Sequence, residues 1–182
     1  MDRRVQKTRQ GLQGALLALL REKPLEQIEI REITDRANTA RVTFYRHYGS
    51  KEELLLDTIE QIYQDFEASF SIRSIEQVLD FRLTPPITPA FEMMEKDRAF
   101  YKKVFTGSIS ALIQQRVRHY AVQQVMQTFG ATPRFANLPL FLIANHVASV
   151  VIGNISWWLA DDLPYSALYM AQITHWMSYT GA

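Results

Sequence analysis

The sequence predicts an all-α protein. Three observations point that way. Apolar residues recur at helical spacing nearly throughout the 182 residues. No alternating run of strand length occurs, and there is no internal repeat or low-complexity tract. Proline-bearing steps such as Lys23-Pro24, Thr132-Pro133 and Leu163-Pro164 separate the periodic stretches.

Leu12, Ala15, Leu16, Leu19 and Leu20 follow the i, i+3, i+4 rule and form the apolar face of a first helix. Lys23-Pro24 ends it, since proline has no N–H to give a helix interior. Ile30, Ile33 and Ala37 define a short second helix. A third starts near Thr39-Ala40 and places Phe44 and Tyr48 four residues apart on one face. Ser50 and Glu53 have the spacing of a capping box and open a fourth helix, with Leu55, Ile59, Ile62 and Phe66 on one face, running to about Phe70. Ile75 to Arg82 reads as a short helix. Thr84-Pro85-Pro86-Ile87-Thr88-Pro89 is expected to be non-helical, because three prolines remove donors and restrict their predecessors. Helical patterning resumes over Ala90–Phe105 with a break near Asp97, and Gly107-Ser108 punctuates. Ile109, Leu112, Val117, Tyr120 and Val125 predict a long helix to about Phe129, stopped by Gly130-Ala131-Thr132-Pro133. Leu138–Ala160 is the next helix, ended at Asp161-Asp162-Leu163-Pro164, and Ser166 caps a last one through Tyr179.

Composition narrows the function. At 47% hydrophobic residues the chain has material for a core. With no cysteine it has no disulfide framework, thiol nucleophile or cysteine metal site. Four scattered histidines show no ligand spacing, and no phosphate-binding glycine loop, nucleophile elbow or H-E-x-x-H pattern occurs. The expectation is a non-enzyme without cofactor or metal. The N-terminus is basic but lacks the apolar core of a secretory signal, so the expected location is cytoplasmic.

The net charge of +1 hides a strong gradient. Residues 1–118 hold 36 of the 39 charges, and residues 119–182 hold only Arg134, Asp161 and Asp162. In the window Ile30–Lys51, Arg31, Arg36, Arg41, Arg46 and Lys51 outnumber Glu32 and Asp35 by three. Arg3, Arg4, Lys7 and Arg9 outnumber Asp2 by another three. Local positive charge is what attracts phosphate. The same window holds two short helices joined by a tight turn at Asn38, a residue that tolerates the left-handed conformation. Such a helix-turn-helix places its second helix in the DNA major groove. Lys51 follows the N-cap, at the positive end of the helix dipole, where a cation is unfavourable by about 0.3–1 kcal/mol. An external phosphate would offset that, and Tyr45 and His47 lie just upstream as donors. The plainer reading of Lys51 is a solvated lysine beside Glu52 and Glu53.

The stretch IEIREITDRANTARVTFYRHYGSKEELLLDTI, residues 28–59, resembles the TetR family of bacterial transcriptional regulators. The family tail T-[FL]-Y-x-H-[FY]-x-x-K-[ED]-x-L is matched by Thr43, Phe44, Tyr45, His47, Tyr48, Lys51, Glu52 and Leu54. The likeness covers residues 5–65. It implies a three-helix DNA-binding domain at 1–50, a connecting helix at 51–70, and a helical domain at 71–182 that binds ligand and dimerises. It further implies that Thr39, Ala40, Arg41, Val42 and Thr43 face the major groove, that Tyr45, His47 and Lys51 hold phosphates, and that Phe44 and Tyr48 are core. Asn38 stands where the family usually has Gly, Ala40 where it often has Ser, and Val42 where Gly is common. The helix cap then falls to Thr39 or is weak, and the departures bear on which operator is read.

Leu138–Ala160 is 23 residues without a charge, long enough to span a bilayer. Asn145, His146, Ser149, Asn154, Ser156 and Pro139, with no Lys or Arg cluster on either side, argue for a buried interface helix instead. In the family the last two long helices pair across a two-fold axis. That implies an interface at Ala144, Ala148, Ile152 and Gly153, with Met170, Ile173 and Met177 on the last helix. Candidates to line a ligand pocket are Phe91, Met94, Phe100, Tyr101, Phe105, Ile109, Leu112, Tyr120, Phe141 and Trp157, each of which also suits a plain core position. The expected function is a repressor that binds a palindromic double-stranded operator as a homodimer and is released by a small-molecule effector. The alternative is an adaptor or coactivator with the same fold that acts through a protein partner.

Overall fold

The computed structural model describes residues 3–69, 75–130, 139–161 and 164–180. The predicted helix boundaries at Phe70, Ala131-Thr132-Pro133, Leu138, Asp162-Leu163 and Gly181 lie outside them, as does the side chain of Phe66. Among the described residues all regular structure is helical: α1 (Arg3–Glu22), a single 3-10 turn (Leu25–Gln27), α2 (Ile30–Arg36), α3 (Arg41–His47), α4 (Lys51–Ser69), α5 (Ile75–Leu79), α6 (Thr88–Lys96), α7 (Arg98–Thr106), α8 (Ser110–Gly130), α9 (Leu140–Ala160) and α10 (Ala167–Thr180). The chain forms two compact units, Met1–Gln64 and Asp65–Ala182, so most of α4 belongs with the N-terminal three helices.

In the N-terminal unit, the predicted apolar face of α1 is the core: Leu12, Leu16, Leu19 and Leu20 are buried, together with Ile28, Ile33, Phe44, Leu54 and Leu55. Tyr48 is buried as well, and its ring tilts against Phe44 at 5.9 Å between centroids. Its hydroxyl donates to Asp57 Oδ2 at 2.5 Å, which also receives Gln13 Nε2 at 2.8 Å. Arg9 pairs with the other Asp57 oxygen and donates to the Tyr48 hydroxyl at 3.3 Å. One carboxylate thus joins α1, the end of α3 and α4. Burial pushes the Asp57 carboxyl up, but the bonds from Tyr48, Arg9 and Gln13 together outweigh it and hold it below its ordinary value. Burial, with the Asp57 carboxylate beside it, pushes the Tyr48 phenol up to about 12.

In the C-terminal unit, α9 is the spine and packs against α7, α8 and α10. Ala144, Val147, Ala148, Val151, Ile152, Ile155, Trp158 and Leu159 form its buried side. Trp158 is wholly enclosed: its indole N–H donates to the Tyr165 carbonyl at 3.0 Å, Phe91 lies 5.4 Å away, and the Arg98 guanidinium sits 4.4 Å over the ring. Arg98 also donates to the Trp158 carbonyl, near the negative end of α9. Glu95 accepts the Ala167 N–H at 2.9 Å and so caps α10 from another helix, beside the predicted Ser166 cap, whose Oγ accepts the Tyr169 N–H at 3.3 Å. His175 is buried with its Nε2 2.7 Å from the Val78 carbonyl. The carbonyl can only accept, so that nitrogen carries the proton; burial pushes the imidazole pKa down despite this bond.

The predicted break at Asp97 is present, with φ −132° and ψ 50° there. The proline stretch is shorter as a breaker than expected: α6 already starts at Thr88, because Pro89 lies in the first turn, where its missing N–H is not needed. α9 is long and apolar enough to cross a membrane by length and composition, but one side of it is buried in the chain's own fold.

Candidate nucleic-acid interface

The turn between α2 and α3 fixes the geometry. Asn38 has φ 48°, the left-handed conformation expected of it. Its N–H donates to the Asp35 carbonyl at 3.2 Å, and the next N–H, of Thr39, returns to the Thr34 carbonyl at 2.9 Å. That pair of bonds is a Schellman motif with asparagine where glycine is commonest. Helix α2 starts from a capping box in which Glu29 and Glu32 satisfy each other's backbone N–H.

Helix α3 starts one residue later than the sequence suggests. Its N-cap is Ala40, with no side-chain bond, so neither Thr39 nor Ala40 caps it and the first-turn N–H groups have no capping side chain. Phe44 is its only buried side chain. Ala40, Arg41, Val42, Tyr45 and Arg46 are exposed, with Thr39, Thr43 and His47 half-buried. The helix contains no acidic residue. Arg41 lies 5.8 Å from the Tyr45 ring centroid, a cation–π contact that draws the two outward-facing side chains together.

Lys51 behaves differently from either sequence reading. Its Nζ donates to the carbonyls of Leu25 and Ile28 at 2.8 Å and of Glu26 at 3.2 Å. All three ammonium protons are used inside the protein, where they bind the 3-10 turn to α4 and offset the helix-dipole penalty from within. The cap of α4 is also modified. Ser50 Oγ accepts the Glu53 N–H at 3.2 Å as expected, but the Glu53 carboxylate reaches the Gly49 N–H at 2.7 Å, one residue before the cap. An open concavity of about 560 Å³ lies here, lined by the N-terminal residues of α2, α3 and α4, including Arg31, Arg41, Ser50 and Lys51. Sequence reasoning counted Arg31 as charge but did not place it; its position one residue into α2, two before the buried Ile33, was the available signal. Arg31 and Arg41 stand at this concavity beside Glu29 and Glu52, and the capping box of α2 already serves the N–H groups at that helix start.

A family model described as bacterial regulatory proteins, tetR family, matches residues 14–58, and one described as transcriptional regulator C-terminal region matches residues 83–179. The chain belongs to the TetR family. The TetR family is a class of transcription regulators. It is 30% identical over 170 residues to an uncharacterized HTH-type transcriptional regulator, YxbF, of Bacillus subtilis (strain 168), covering 88% of this chain. The chain spans 42% of the length of that relative. The fold is similar to that of a TetR-family regulator from Streptomyces coelicolor, with TM-score 0.64, 17% identity and coverage of 93% of this chain and 80% of the other. It is similar also to a TetR regulator from Streptococcus agalactiae 2603V, with TM-score 0.61, 22% identity and coverage of 97% and 96%.

The C-terminal unit of this TetR-family chain distributes its candidate residues less simply. Phe91, Met94, Phe100, Phe105 and Tyr120 are buried, and Tyr101, Ile109 and Leu112 half-buried. Phe141 and Trp157 are 63% and 50% exposed, so these two face solvent and not an interior cavity. Of the residues expected at a subunit interface, Ala144, Ala148, Ile152 and Met170 are instead buried within the chain's own core, where α8 and α10 pack on α9. Gly153 is exposed with open space around it, and Ile173 and Met177 are half-buried. The outward side of α9 carries Leu142, His146, Ser149, Gly153, Trp157 and Ala160 at helical spacing, and that of α10 carries Leu168, Tyr169 and Trp176.

Proposed function

We propose that the protein is a cytoplasmic repressor that binds a palindromic operator as a homodimer and leaves it on binding a small molecule. The observation that carries the DNA-binding part is α3: seven residues, no acid, one buried anchor, and Arg41, Val42 and Tyr45 exposed on one continuous surface. In this reading Thr39, Ala40, Arg41, Val42 and Thr43 meet base edges and Tyr45 and His47 meet phosphates. Lys51 acts from behind: it holds the α4 N-terminus in position, so that the backbone N–H groups there, and Arg31 across the concavity, face the phosphate.

The homodimer is supported by the uncovered apolar side of α9 and α10. Leu142, Trp157, Leu168, Tyr169 and Trp176 are large, exposed and grouped on two helices, the kind of patch that monomers seldom leave open. The interface is therefore assigned to these residues and to Gly153, and no longer to Ala144, Ala148, Ile152 or Met170. Two recognition helices then address major grooves about 34–36 Å apart. Sedimentation of the complex with a duplex selected from a random pool tests this: two chains per duplex are expected, with half-site duplexes bound much more weakly. One chain per duplex would refute the dimeric reading.

The effector is the finer part. A pocket in the C-terminal unit would be lined by Phe91, Met94, Tyr101, Phe105, Leu112 and Tyr120. Thermal-shift screening against metabolites should find a compound that raises Tm and releases the duplex. One observation favours the second reading, in which a protein partner replaces the small molecule: Phe141, which is not among the residues of the homodimer face, lies outside the core. A stoichiometric complex that releases DNA without any metabolite would establish it.

A further inference from the structure

Val42 stands out on α3. It is β-branched and apolar, yet 69% exposed, more so than any other large hydrophobic side chain among the described residues. It follows Arg41 in the first turn, beside the exposed Ala40 and within a helix that has no acid. Nothing in the fold uses its two methyl groups: the buried anchor of this helix is Phe44, on another side. A β-branched residue also lowers helix propensity relative to most alternatives, so neither packing nor local structure accounts for it. A basic helix surface with one apolar point is complementary to a base edge that is itself apolar, and the major groove offers one such group, the 5-methyl of thymine. The neighbouring Arg41 is the residue type that pairs with guanine O6 and N7.

We propose that Val42 is a specificity-determining residue that selects thymine in each operator half-site through contact with the 5-methyl group. The proposal rests on the DNA-binding reading of α3 given above. The occupant is a methyl group on DNA, since the charged residues flanking Val42 are cations suited to phosphate and guanine. Ala40 and Thr43 also carry methyl groups nearby, so the test must separate them from Val42.

Duplexes selected from a random pool by the full chain are resynthesised with deoxyuridine in place of each thymidine in turn. Deoxyuridine keeps the pairing and removes only the 5-methyl. At one thymine per half-site, wild-type affinity is expected to fall about fourfold, and on the order of fifteenfold when both half-sites are changed, the transfer of one methyl group per contact. Val42→Ser, which has no methyl group, should bind the thymine and uracil duplexes equally, while Val42→Ile should keep the discrimination. Val42 is exposed, so these variants are expected to keep the wild-type Tm. Equal binding of both duplexes by wild type would overturn the proposal and leave the DNA-binding reading intact. Discrimination that survives in Val42→Ser would overturn it too, assigning the contact to Ala40 or Thr43. Failure to select any duplex would remove the DNA-binding reading itself, and this inference with it.

Discussion

The two units of the chain solve the same problem with different chemistry. Residues 1–64 bury a small apolar core and then tie it with side-chain ion pairs: Arg9 to Asp57, Lys23 to Glu32 at 2.7 Å and Arg36 to Glu22 at 2.7 Å. The C-terminal unit relies on apolar burial along α9 and on single polar bolts between helices, such as Asn154 to Thr174 at 3.0 Å and Glu95 to the Ala167 N–H. The first unit also exposes Arg41 and Arg46 on α3, a helix with no acidic residue. In the second unit α9 and α10 carry no Lys, Arg, Asp or Glu and leave apolar side chains on their outside. The comparison teaches that an average charge near zero can be the sum of two surfaces with opposite needs.

The sharpest way to break that comparison is to remove one anchor from each unit. Phe44→Ala should cost the N-terminal unit about 3–5 kcal/mol, and Trp158→Ala should cost the C-terminal unit a similar amount. All three tryptophans lie beyond residue 64, so fluorescence follows the C-terminal unit while hydrogen exchange over residues 12–58 follows the other. The N-terminal unit, having the smaller core, should lose protection entirely in Phe44→Ala.

Next in size is the outward face. Trp157→Glu should weaken self-association by about 2 kcal/mol, roughly thirtyfold, the scale of an interface hot spot. Sedimentation equilibrium would read it, with tryptophan fluorescence checking that the fold is kept. An Ala148→Glu change should instead unfold the C-terminal unit, since Ala148 is wholly buried.

Asp57→Asn comes third, at about 1–2 kcal/mol, for the loss of charge-assisted bonds to Arg9 and Tyr48 at a partly exposed site. It also carries a pH signature. The folded Asp57 carboxyl titrates below its unfolded value, so the unfolded chain takes up the proton first. The stabilisation is complete above the ordinary carboxylate range and is lost as pH falls through the folded value. Urea midpoints between pH 7 and pH 3 should therefore fall more steeply for wild type than for Asp57→Asn. Smallest is Asn38→Ala, about 1 kcal/mol destabilising, because alanine gains nothing at φ 48° that asparagine's local hydrogen bonding supplies. Asn38→Gly should be neutral or slightly stabilising.

The sequence was most informative where structure is local. Leu12 to Leu20, the Asn38 turn, the Ser50 cap and the Asp97 break are each set by residues within a few positions of one another, and each is present in the fold. The role of Lys51 was hidden, because its partners are carbonyls 23 to 26 residues away, brought close only by packing. Glu95 as the cap of α10 was hidden for the same reason, 72 residues apart. On α9 periodicity could not tell the two apolar sides apart. Ala144 and Ala148 on one side and Gly153 and Trp157 on the other are all uncharged, and only the positions of α7, α8 and α10 decide which side is core. Ala40, Arg41 and Val42, which the family pattern turns outward, are exposed, and Phe44, which it turns inward, is buried.

The central claim is that local positive charge on the N-terminal unit, and not the net charge of the chain, governs DNA binding. The salt dependence of binding to a selected duplex tests it most directly. The account predicts a linear fall of log K with log salt, with slope about −0.9 per phosphate neutralised, so that six to ten contacts lose roughly a thousandfold or more between 50 and 200 mM. Arg31→Ala should make the slope shallower by about 1 per half-site on every sequence, and Val42→Ala should leave it unchanged. A flat salt dependence, or a slope unmoved by Arg31→Ala, would contradict it.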